Sequence, residues 1–368
     1  MKKILVIHTR YQNIGGEDIA VENEVRFLNK HYQIETLYFQ NEIKNFVKDI
    51  IPFFTNRNKQ SQKELEIVLD KFKPDFAYVH NTWFKASIGI FKTLQDKNVP
   101  FVLKLHNFRY YCTKSYSLQK HLEGEIRCNA CGLEKNKTRF FNKYFMNSYL
   151  KSILVNMYGK TYFKFLSNST FPILVLTEFH KRFITKKNIR SNNIEIIPNS
   201  IENIKEFKMV NTEKYFVYAG RISTEKGVEE LIASFKNCNF KNITLKIIGT
   251  GPLLNKLKMK YQDEDVHFLG EISNSEVLQI ISNSNGVVTA TKLYEGQPTL
   301  LCEASLLGIP SIFPRTGGIE EFFPENYVLS FDQFDYNDLK EKLVLLATSL
   351  NPSFIGRINS EYIQNYLN

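Results

Sequence analysis

Apolar and polar positions follow two kinds of pattern along most of the chain. Short runs of consecutive apolar and β-branched residues, such as those at 3–8 and 101–106, are typical of buried strands. Between such runs lie longer stretches in which apolar residues recur every three or four positions, as at 17–29, and these predict amphipathic helices. Because strands and helices alternate, the pattern predicts an α/β fold with parallel sheets covered on both faces.

The alternation occurs in two series, and each series predicts one doubly wound, Rossmann-like domain. The first predicts an N-terminal domain at 1–195, which a basic and aromatic insertion at about 107–168 interrupts. The second predicts a C-terminal domain at 196–350, with Pro310–Phe313 as its last strand. The tail, 351–368, predicts a helix whose apolar face packs back on the N-terminal domain. Ligands of open α/β sheets bind beside the carboxyl ends of strands, so two such domains predict a cleft between them.

Charge is unevenly distributed over the 368 residues, whose formal net charge is +10 at pH 7. Residues 1–200 hold 32 basic and 17 acidic side chains, whereas 201–368 hold 16 basic and 21 acidic ones. Within the first half, 101–200 hold 17 basic and 5 acidic side chains. We therefore expect the N-terminal domain to meet an anionic membrane surface or a phosphorylated acceptor. Nucleic acid is the least favoured anionic partner, because no nucleic-acid-binding module is recognisable.

The N-terminus and the cysteines indicate a reducing compartment. The N-terminal apolar run is too short for a signal peptide, and no run approaches the ~18 apolar residues of a membrane-spanning helix. We therefore expect a cytoplasmic protein, peripheral at the inner face of the cell membrane. Five cysteines is an odd number, which argues against a disulfide framework. Cys128-x-x-Cys131 has the spacing of half a zinc site that Cys112 and His121 would complete, and reduced thiols in a loop are the alternative.

The strongest chemical motif is the segment 294–304, which reads YEGQPTLLCEA. It follows a predicted strand and contains a turn that leads into a helix starting at about Thr299, with Thr299 as the expected N-cap. The first amides of that helix would attract a phosphate group. Glu295 and Glu303 add two carboxylates, so the segment suits a ligand with both hydroxyl and phosphate groups.

Further loops that follow predicted strands carry cations and glycines. Arg221 and Lys226 flank one such loop, where cations can clamp a diphosphate. Glycines in these loops allow a ligand to approach the backbone closely. The glycines concerned are Gly15, Gly16, Gly220, Gly249 and Gly251.

Taken in chain order, these motifs resemble those of the retaining glycosyltransferases of family 4, which have the GT-B fold. The resemblance covers nearly the whole chain and rests on the paired glycines after the first strand, the Gly-Arg-x4-Lys-Gly loop, the Gly-x-Gly-Pro loop and the Glu-Gly-x-Pro-x4-Glu-Ala segment. The run 105–112, LHNFRYYC, together with the following Cys-x-x-Cys, is similar to a bacterial subset that builds surface polysaccharides, as in capsule or lipopolysaccharide.

The resemblance implies roles for individual residues. Arg221 and Lys226 match the pair that neutralises the diphosphate of a nucleotide sugar. Glu303 matches the carboxylate that accepts hydrogen bonds from the ribose, and Glu295 matches the one beside the transferred sugar. His106 matches a histidine that contacts the sugar near the reacting face. The implied catalytic group is therefore His106, Glu295, Arg221 and Lys226.

The implied donor-binding set is larger and includes backbone groups. Asn107 departs from the aspartate often found there, so the resemblance gives position 107 no proton-transfer role. The donor-binding positions are Gly15, Gly16, Gly220, Arg221, Lys226, Gly249, Gly251, Glu295, Gly296, Gln297, Pro298, Thr299, Leu300 and Glu303.

The resemblance implies retaining transfer of a hexosyl unit from a UDP- or GDP-sugar to a glycan or lipid-linked saccharide. It implies no cofactor and no catalytic metal, because cations and helix amides stabilise the departing nucleoside diphosphate. A sugar-nucleotide epimerase of the same fold is the alternative enzyme. A basic nucleic-acid-binding protein is the alternative from another class, and it predicts steeply salt-dependent binding.

Overall fold

The structure, a computed structural model, describes residues 1–10, 16–41, 55–113, 117–135, 148–190, 193–201 and 213–367. The chain divides into two compact units, Met1–Ser200 and Ile201–Asn368. The predicted boundary after residue 195 falls within the last strand of the first unit.

The first unit is built on a six-stranded sheet. Its strands are β1 (Lys3–Arg10), β2 (Gln33–Gln40), β3 (Phe76–Val79), β4 (Phe101–Lys104), β5 (Ile173–Val175) and β6 (Ile194–Ile196). They are arranged in the order β2-β1-β3-β4-β5-β6, and every neighbouring pair is parallel. The strand order reverses between β1 and β3, and ligands of open α/β sheets bind at the carboxyl side of such a switch point.

Helices cover both faces of this sheet. Leu5 and Ile7 on β1 belong to the large core on one face, while Val6 between them packs with Val21 on the other face. A central strand buried on both faces is characteristic of a parallel sheet. The helices are α1 (Gly16–Leu28), α2 (Lys59–Phe72), α3 (Gly89–Asp96), α4 (Arg109–Cys112), α5 (Leu118–Leu122), α6 (Tyr149–Ser167) and α7 (Glu178–Thr185).

The second unit repeats this architecture. Its strands are β7 (Lys214–Ala219), β8 (Ile243–Ile248), β9 (Val266–Gly270), β10 (Gly286–Val288), β11 (Ser311–Arg315) and β12 (Ser330–Asp332). Their order is β12-β11-β10-β7-β8-β9, again with parallel neighbours throughout. The switch point lies between β7 and β10, because the chain builds outward from β7 to β9 and then returns to the other side.

Side-chain caps mark several helix starts in this unit. Ser273 and Glu276 form a capping box, in which each side chain bonds the other residue's backbone amide. Asp335 caps the next long helix by accepting hydrogen bonds from two amides. The helices are α8 (Val228–Lys236), α9 (Leu254–Tyr261), α10 (Asn274–Ser282), α11 (Thr299–Leu306), α12 (Tyr336–Thr348) and α13 (Pro352–Leu367), with 3-10 turns at Thr224–Lys226 and Ile319–Phe322.

The predicted α/β class with two doubly wound parallel sheets is confirmed, but the second sheet does not end where the sequence analysis placed its end. β11 is followed by β12 and α12, so Pro310–Phe313 is not part of the last strand. β12 has three residues at a sheet edge, which is too short for a periodicity signal. α12 did carry a signal, because its buried leucines, Leu339, Leu343 and Leu346, have helical spacing.

The terminal helix α13 packs within the second unit. Gly356 lies so close to α11 that an added Cβ would stand 1.7 Å from the Gly308 carbonyl oxygen. Asn359 donates a hydrogen bond of 3.0 Å to the Tyr327 hydroxyl. Ile363 on its apolar face is buried in a core of the second unit, and the expected packing on the N-terminal domain stays a prediction.

Among the described helices, none is both long enough and apolar enough to cross a membrane. The predicted insertion contains α4, α5 and α6, and its residues 114–116 and 136–147 lie outside the described ranges.

Candidate active site

An ion pair joins two loops at the switch point of the second sheet. Lys226 ends the loop that follows β7, and Glu295 belongs to the loop that follows β10. The Lys226 Nζ atom lies 2.5 Å from Glu295 Oε1, and both side chains are partly exposed. Two loops that are 69 residues apart in sequence therefore place a cation and a carboxylate together at the carboxyl ends of neighbouring strands.

Glu295 is held on its own loop and on the one after β11. The Thr291 hydroxyl donates a 2.9 Å hydrogen bond to Glu295 Oε1. The Glu295 backbone carbonyl accepts a 2.8 Å bond from the Gly318 amide. Gly317 has a positive φ of 62°, and a Cβ there would stand 2.3 Å from the same carbonyl oxygen. The carboxylate is thus fixed in direction before any ligand arrives.

The predicted glycines bring three loops of this sheet into close contact. A Cβ on Gly227 would stand 2.0 Å from the Ala290 carbonyl oxygen, and its φ of 66° is left-handed. A Cβ on Gly249, at φ 124°, would stand 2.1 Å from the Gly220 carbonyl oxygen. A Cβ on Gly251 would likewise meet the Ile222 carbonyl at 2.3 Å. Only glycine lets these backbones approach so closely.

Arg221 lies in the first of these loops, and its side chain is exposed. Its carbonyl oxygen accepts a 2.8 Å hydrogen bond from the hydroxyl of Tyr218 on β7. Burial raises the pKa of Tyr218 above its ordinary value, so the phenol stays protonated and acts as donor. Among the described residues, no carboxylate pairs with the Arg221 guanidinium, which leaves that cation able to bind an anion.

Helix α11 begins at Thr299 as predicted, but Thr299 is not its cap. The N-cap position is Pro298, which makes no side-chain capping bond. The Pro298 carbonyl accepts hydrogen bonds from the Leu301 and Cys302 amides. The Thr299 amide donates a 3.0 Å hydrogen bond to the Gln297 carbonyl, and its contact with a ligand stays a prediction.

Glu303 lies one turn into α11 and is buried. Burial raises the pKa of this carboxyl group to about 7, and a hydrogen bond with the Asn274 side chain acts in the opposite direction. No Lys or Arg of the described ranges forms an ion pair with it. A buried carboxylate without a cation needs hydrogen-bond donors to stabilise its charge, and ligand hydroxyls are suitable donors.

The first unit has its own cluster of polar side chains at the carboxyl ends of β1, β3 and β4. His8 Nε2 lies 2.8 Å from Asp18 Oδ1, with both side chains buried. Lys104 forms a buried ion pair with Glu24 of α1. His80 Nε2 lies 3.7 Å from the second oxygen of Glu24. Charges on α1 are therefore matched by groups on strands that are neighbours in the sheet.

His106, the predicted catalytic histidine, belongs to this cluster. Its Nε2 lies 2.9 Å from His80 Nδ1, and its buried Nδ1 has no hydrogen-bond partner among the described residues. Burial, assisted by the nearby Lys104, lowers the pKa of His106 well below the ordinary value. Burial also lowers the pKa of His80 well below the ordinary value. Both rings are neutral at neutral pH. Neutral rings can donate or accept a hydrogen bond, but neither carries a charge to the site.

The predicted positions at the start of α1 and after β4 are described only in part. Gly16 is the first residue of α1, whereas Gly15 lies outside the described residues. The Asn107 amide donates a 3.1 Å bond to Glu17, which places position 107 beside the start of α1. His80, Lys104 and Glu24 were not predicted from the sequence. A polar residue at the end of each parallel strand was the available signal for the first two.

The four candidate zinc ligands are brought together. The ligand atoms of Cys112, His121, Cys128 and Cys131 all lie within 4.8 Å of one another. Three of these residues are buried and Cys131 is half-buried.

Three comparisons with known proteins agree with this architecture. The chain is 30% identical over 301 residues to the uncharacterized glycosyltransferase MJ1059 of Methanocaldococcus jannaschii, covering 76% of this chain and 64% of that protein. It is 25% identical over 371 residues to the amylovoran biosynthesis glycosyltransferase AmsD of Erwinia amylovora, covering 96% of this chain and 93% of that one. The crystal structure of Anabaena HepE in complex with UDP-glucose superposes with a TM-score of 0.67 at 14% identity, covering 100% of this chain and 96% of HepE.

The two doubly wound sheets and this structural likeness define a protein of the GT-B fold, as the sequence analysis predicted. Residues 199–349, which span nearly all of the second sheet and its switch-point loops, match the family described as glycosyl transferases group 1.

Proposed function

We propose that the chain is a retaining glycosyltransferase, which moves a hexosyl unit from a UDP- or GDP-sugar to a glycan or lipid-linked saccharide in bacterial cell-surface polysaccharide synthesis. The observation that carries the proposal is the Lys226–Glu295 pair at the switch point of the second sheet. It lies within the matched residues 199–349, at the edge where open α/β sheets bind ligands.

In this proposal the loop after β7 binds the donor diphosphate. Arg221 is exposed and carries a fixed positive charge, and Lys226 has three donor hydrogens, of which one faces Glu295. Departure of a nucleoside diphosphate builds negative charge on its terminal phosphate. Two cations in place before the reaction stabilise that charge without having to reorganise, so the proposal requires no catalytic metal and no cofactor.

The two carboxylates of the segment 294–304 bind the two sugars that flank the diphosphate of the donor, the ribose and the transferred hexose. Glu303 is buried, has no Lys or Arg partner in the described part of the chain, and accepts hydrogen bonds from the ribose hydroxyls. Glu295 is held by Thr291 and by the Gly318 amide and lies beside the transferred hexose. The loop glycines of the second unit allow the backbone to approach the donor closely; these are Gly220, Gly249, Gly251 and Gly296. The backbone of Gln297, Pro298 and Leu300 also lines the donor.

The first unit binds the acceptor. His106 is neutral and contacts a sugar hydroxyl by a hydrogen bond, and no protein nucleophile is required. Support comes from AmsD, whose name places it in amylovoran biosynthesis, and from HepE, which was crystallised with UDP-glucose. These relatives support a polysaccharide acceptor and a nucleotide-sugar donor.

The proposal includes contact with the inner face of the cell membrane. Helix α6 exposes Leu150 and Met157 together with Lys160 and Lys164. Apolar and basic side chains on one helix suit an anionic lipid surface, and the surrounding stretch 101–200 is strongly basic. A lipid-linked acceptor would be held at that surface, so the enzyme would work where its acceptor lies.

The test is a transfer assay. Purified protein is incubated with UDP- and GDP-hexoses in turn, together with a lipid extract from bacteria that make surface polysaccharide. We expect release of one nucleoside diphosphate and a lipid product that is heavier by one hexosyl unit. NMR of that product should show that the transferred sugar keeps the anomeric configuration of the donor. A changed sugar nucleotide without a glycosylated product would instead identify an epimerase, and absence of binding to any donor would contradict the proposal.

A further inference from the structure

Three thiols and one imidazole converge outside the proposed donor site. Cys112 ends α4, His121 lies in α5, and Cys128 and Cys131 lie in the turn that follows. Cys112 Sγ and Cys128 Sγ are 3.8 Å apart, and His121 Nε2 is 3.1 Å from Cys131 Sγ. Around a tetrahedral zinc with Zn–S bonds of about 2.3 Å and a Zn–N bond of about 2.0 Å, two sulfur atoms lie about 3.8 Å apart and a sulfur and a nitrogen about 3.5 Å apart. The Cys112–Cys128 spacing equals the first value, and the His121–Cys131 spacing is about 0.4 Å shorter than the second. The observed spacing therefore leaves room for one ion.

The backbone around Cys128 and Cys131 is shaped as a tight turn. The Cys128 carbonyl accepts bonds from the amides of Cys131 and Gly132, at 3.3 Å and 2.7 Å. The Cys128 amide donates a 2.8 Å hydrogen bond to the Leu133 carbonyl. Gly132 has the left-handed φ of 75° that this turn requires. An antiparallel bridge between Arg127 and Glu134 closes the turn at its base. Both sulfur atoms are thereby held on the same side of the turn.

Burial and ligand type identify the ion. All five cysteines of the chain are free, and the 3.8 Å between Cys112 and Cys128 is far longer than a disulfide bond of about 2.05 Å. Soft thiolates with one imidazole in a closed tetrahedral set select Zn²⁺ over Mg²⁺ or Ca²⁺. Four protein ligands leave no open position for substrate, which is the arrangement of a structural site.

We propose that Cys112, His121, Cys128 and Cys131 bind one structural Zn²⁺. The ion ties α4, α5 and the Cys128–Cys131 turn into one unit directly after His106. Tyr111, next to Cys112, bonds Glu123 at the end of α5, and Lys187 reaches the same carboxylate at 2.6 Å. Zinc binding therefore fixes the segment that follows β4, and this inference does not depend on the proposed transfer reaction.

The test measures metal content in the full-length protein. Protein purified without chelators is analysed by inductively coupled plasma mass spectrometry, and we expect about one zinc ion per chain. Replacement of zinc by Co²⁺ should produce the visible absorption of a tetrahedral, thiolate-bound cobalt ion. Cys128→Ser and Cys131→Ser should lose the metal, whereas Cys238→Ser should keep it, because Cys238 contacts the Ser234 and Lys340 carbonyls instead.

The wild-type protein alone can overturn the proposal, so the test does not depend on variants that fold. Folded protein that contains no zinc and gives no tetrahedral cobalt spectrum would contradict it. A mass lower by two hydrogens, with Cys112 and Cys128 recovered as a linked peptide, would show a disulfide instead. Full metal content in Cys131→Ser would show that the ion lies elsewhere.

Discussion

Lys226 and Glu295 lie 2.5 Å apart although 69 residues separate them in the sequence. Lys226 follows β7 and Glu295 follows β10, which are adjacent only because the strand order of the second sheet reverses there. The contact pairs a cation proposed to bind phosphate with a carboxylate proposed to bind sugar. Each group positions the other, so both arrive in a defined orientation.

Removing the cation should weaken binding of the donor. In Lys226→Met the methylene stem remains, but the ammonium group is lost. A charge-assisted hydrogen bond contributes about 1.5–3 kcal/mol, so we expect a 10- to 100-fold rise in the Kd for the nucleotide sugar that the wild-type enzyme uses. Isothermal titration calorimetry measures this directly.

Lys236→Met is the matched control for that variant. Lys236 is exposed to nearly the same extent as Lys226 and also forms ion pairs, with Asp263 and Asp265 at 2.7 Å and 2.9 Å. It lies at the end of α8, and the two aspartates precede β9, at the opposite edge of the sheet. Equal losses of donor affinity in the two variants would contradict a specific role for Lys226.

Donor affinity should depend on pH through Glu303. Burial raises the pKa of this carboxyl group to about 7, so it is largely protonated at pH 6 and ionised at pH 8. The ionised form accepts charge-assisted hydrogen bonds from the ribose hydroxyls, and these are stronger than hydrogen bonds to the protonated acid. Binding should therefore weaken as the pH falls through 7, by about tenfold between pH 8 and pH 6.

Glu303→Gln separates this effect from other titrations. The amide has nearly the same shape and no charge, so its donor affinity should be lower at pH 8 and lose the Glu303-dependent change with pH. A UDP-sugar is a suitable probe because its diphosphate diester does not titrate in this interval. An unchanged pH profile in the variant would exclude Glu303 as the titrating group.

The sequence motifs identified the loops that follow the strands of the second unit, but not the contacts between those loops. The loops with Arg221, Lys226 and Glu295 were found because glycines and charges follow predicted strands. The doubly wound pattern already places the first and fourth strands of this sheet side by side, but the motifs do not show that the Lys226 and Glu295 side chains meet there. Residue type alone predicts Thr299 as the cap, but Pro298 occupies that position in the backbone.

Buried polar groups of the first unit were harder to predict. Lys104 follows three apolar residues in β4, and its partner Glu24 lies on α1, 80 residues earlier. A hydrophobic pattern treats both as exposed positions. Similarly, His80 is at the end of β3, where only the sheet order shows that it faces His106 on the adjacent strand.

The Lys104–Glu24 pair should be essential for stability. In Lys104→Met, Glu24 stays buried beside Tyr78 and His80 without its cation, because no second cation contacts it among the described residues. Breaking a buried pair costs about 3–5 kcal/mol, measured as the free energy of unfolding in urea. Adding Glu24→Gln should recover part of that loss, because it removes the unpaired charge.

Lys97→Met is the control for this prediction. Lys97 and Asp70 are 2.6 Å apart but largely exposed. An exposed pair of this kind contributes about 0–1 kcal/mol. If Lys97→Met and Lys104→Met destabilised the protein equally, burial would not be the reason for the importance of Lys104.

Gly227 and Gly308 form a matched pair for testing the close contact between loops. Both have left-handed backbones, with φ of 66° and 72°. A Cβ on Gly227 would stand 2.0 Å from the Ala290 carbonyl oxygen, whereas a Cβ on Gly308 would meet nothing within 4 Å. Gly308→Ala should cost only the left-handed strain of about 1–2 kcal/mol. Gly227→Ala should cost about 1–3 kcal/mol more, because the loops must separate, and should also weaken donor binding, because Lys226 moves with its neighbour. Urea unfolding and calorimetric titration of the two variants measure both effects, and equal behaviour of the two would contradict the role given to the contact.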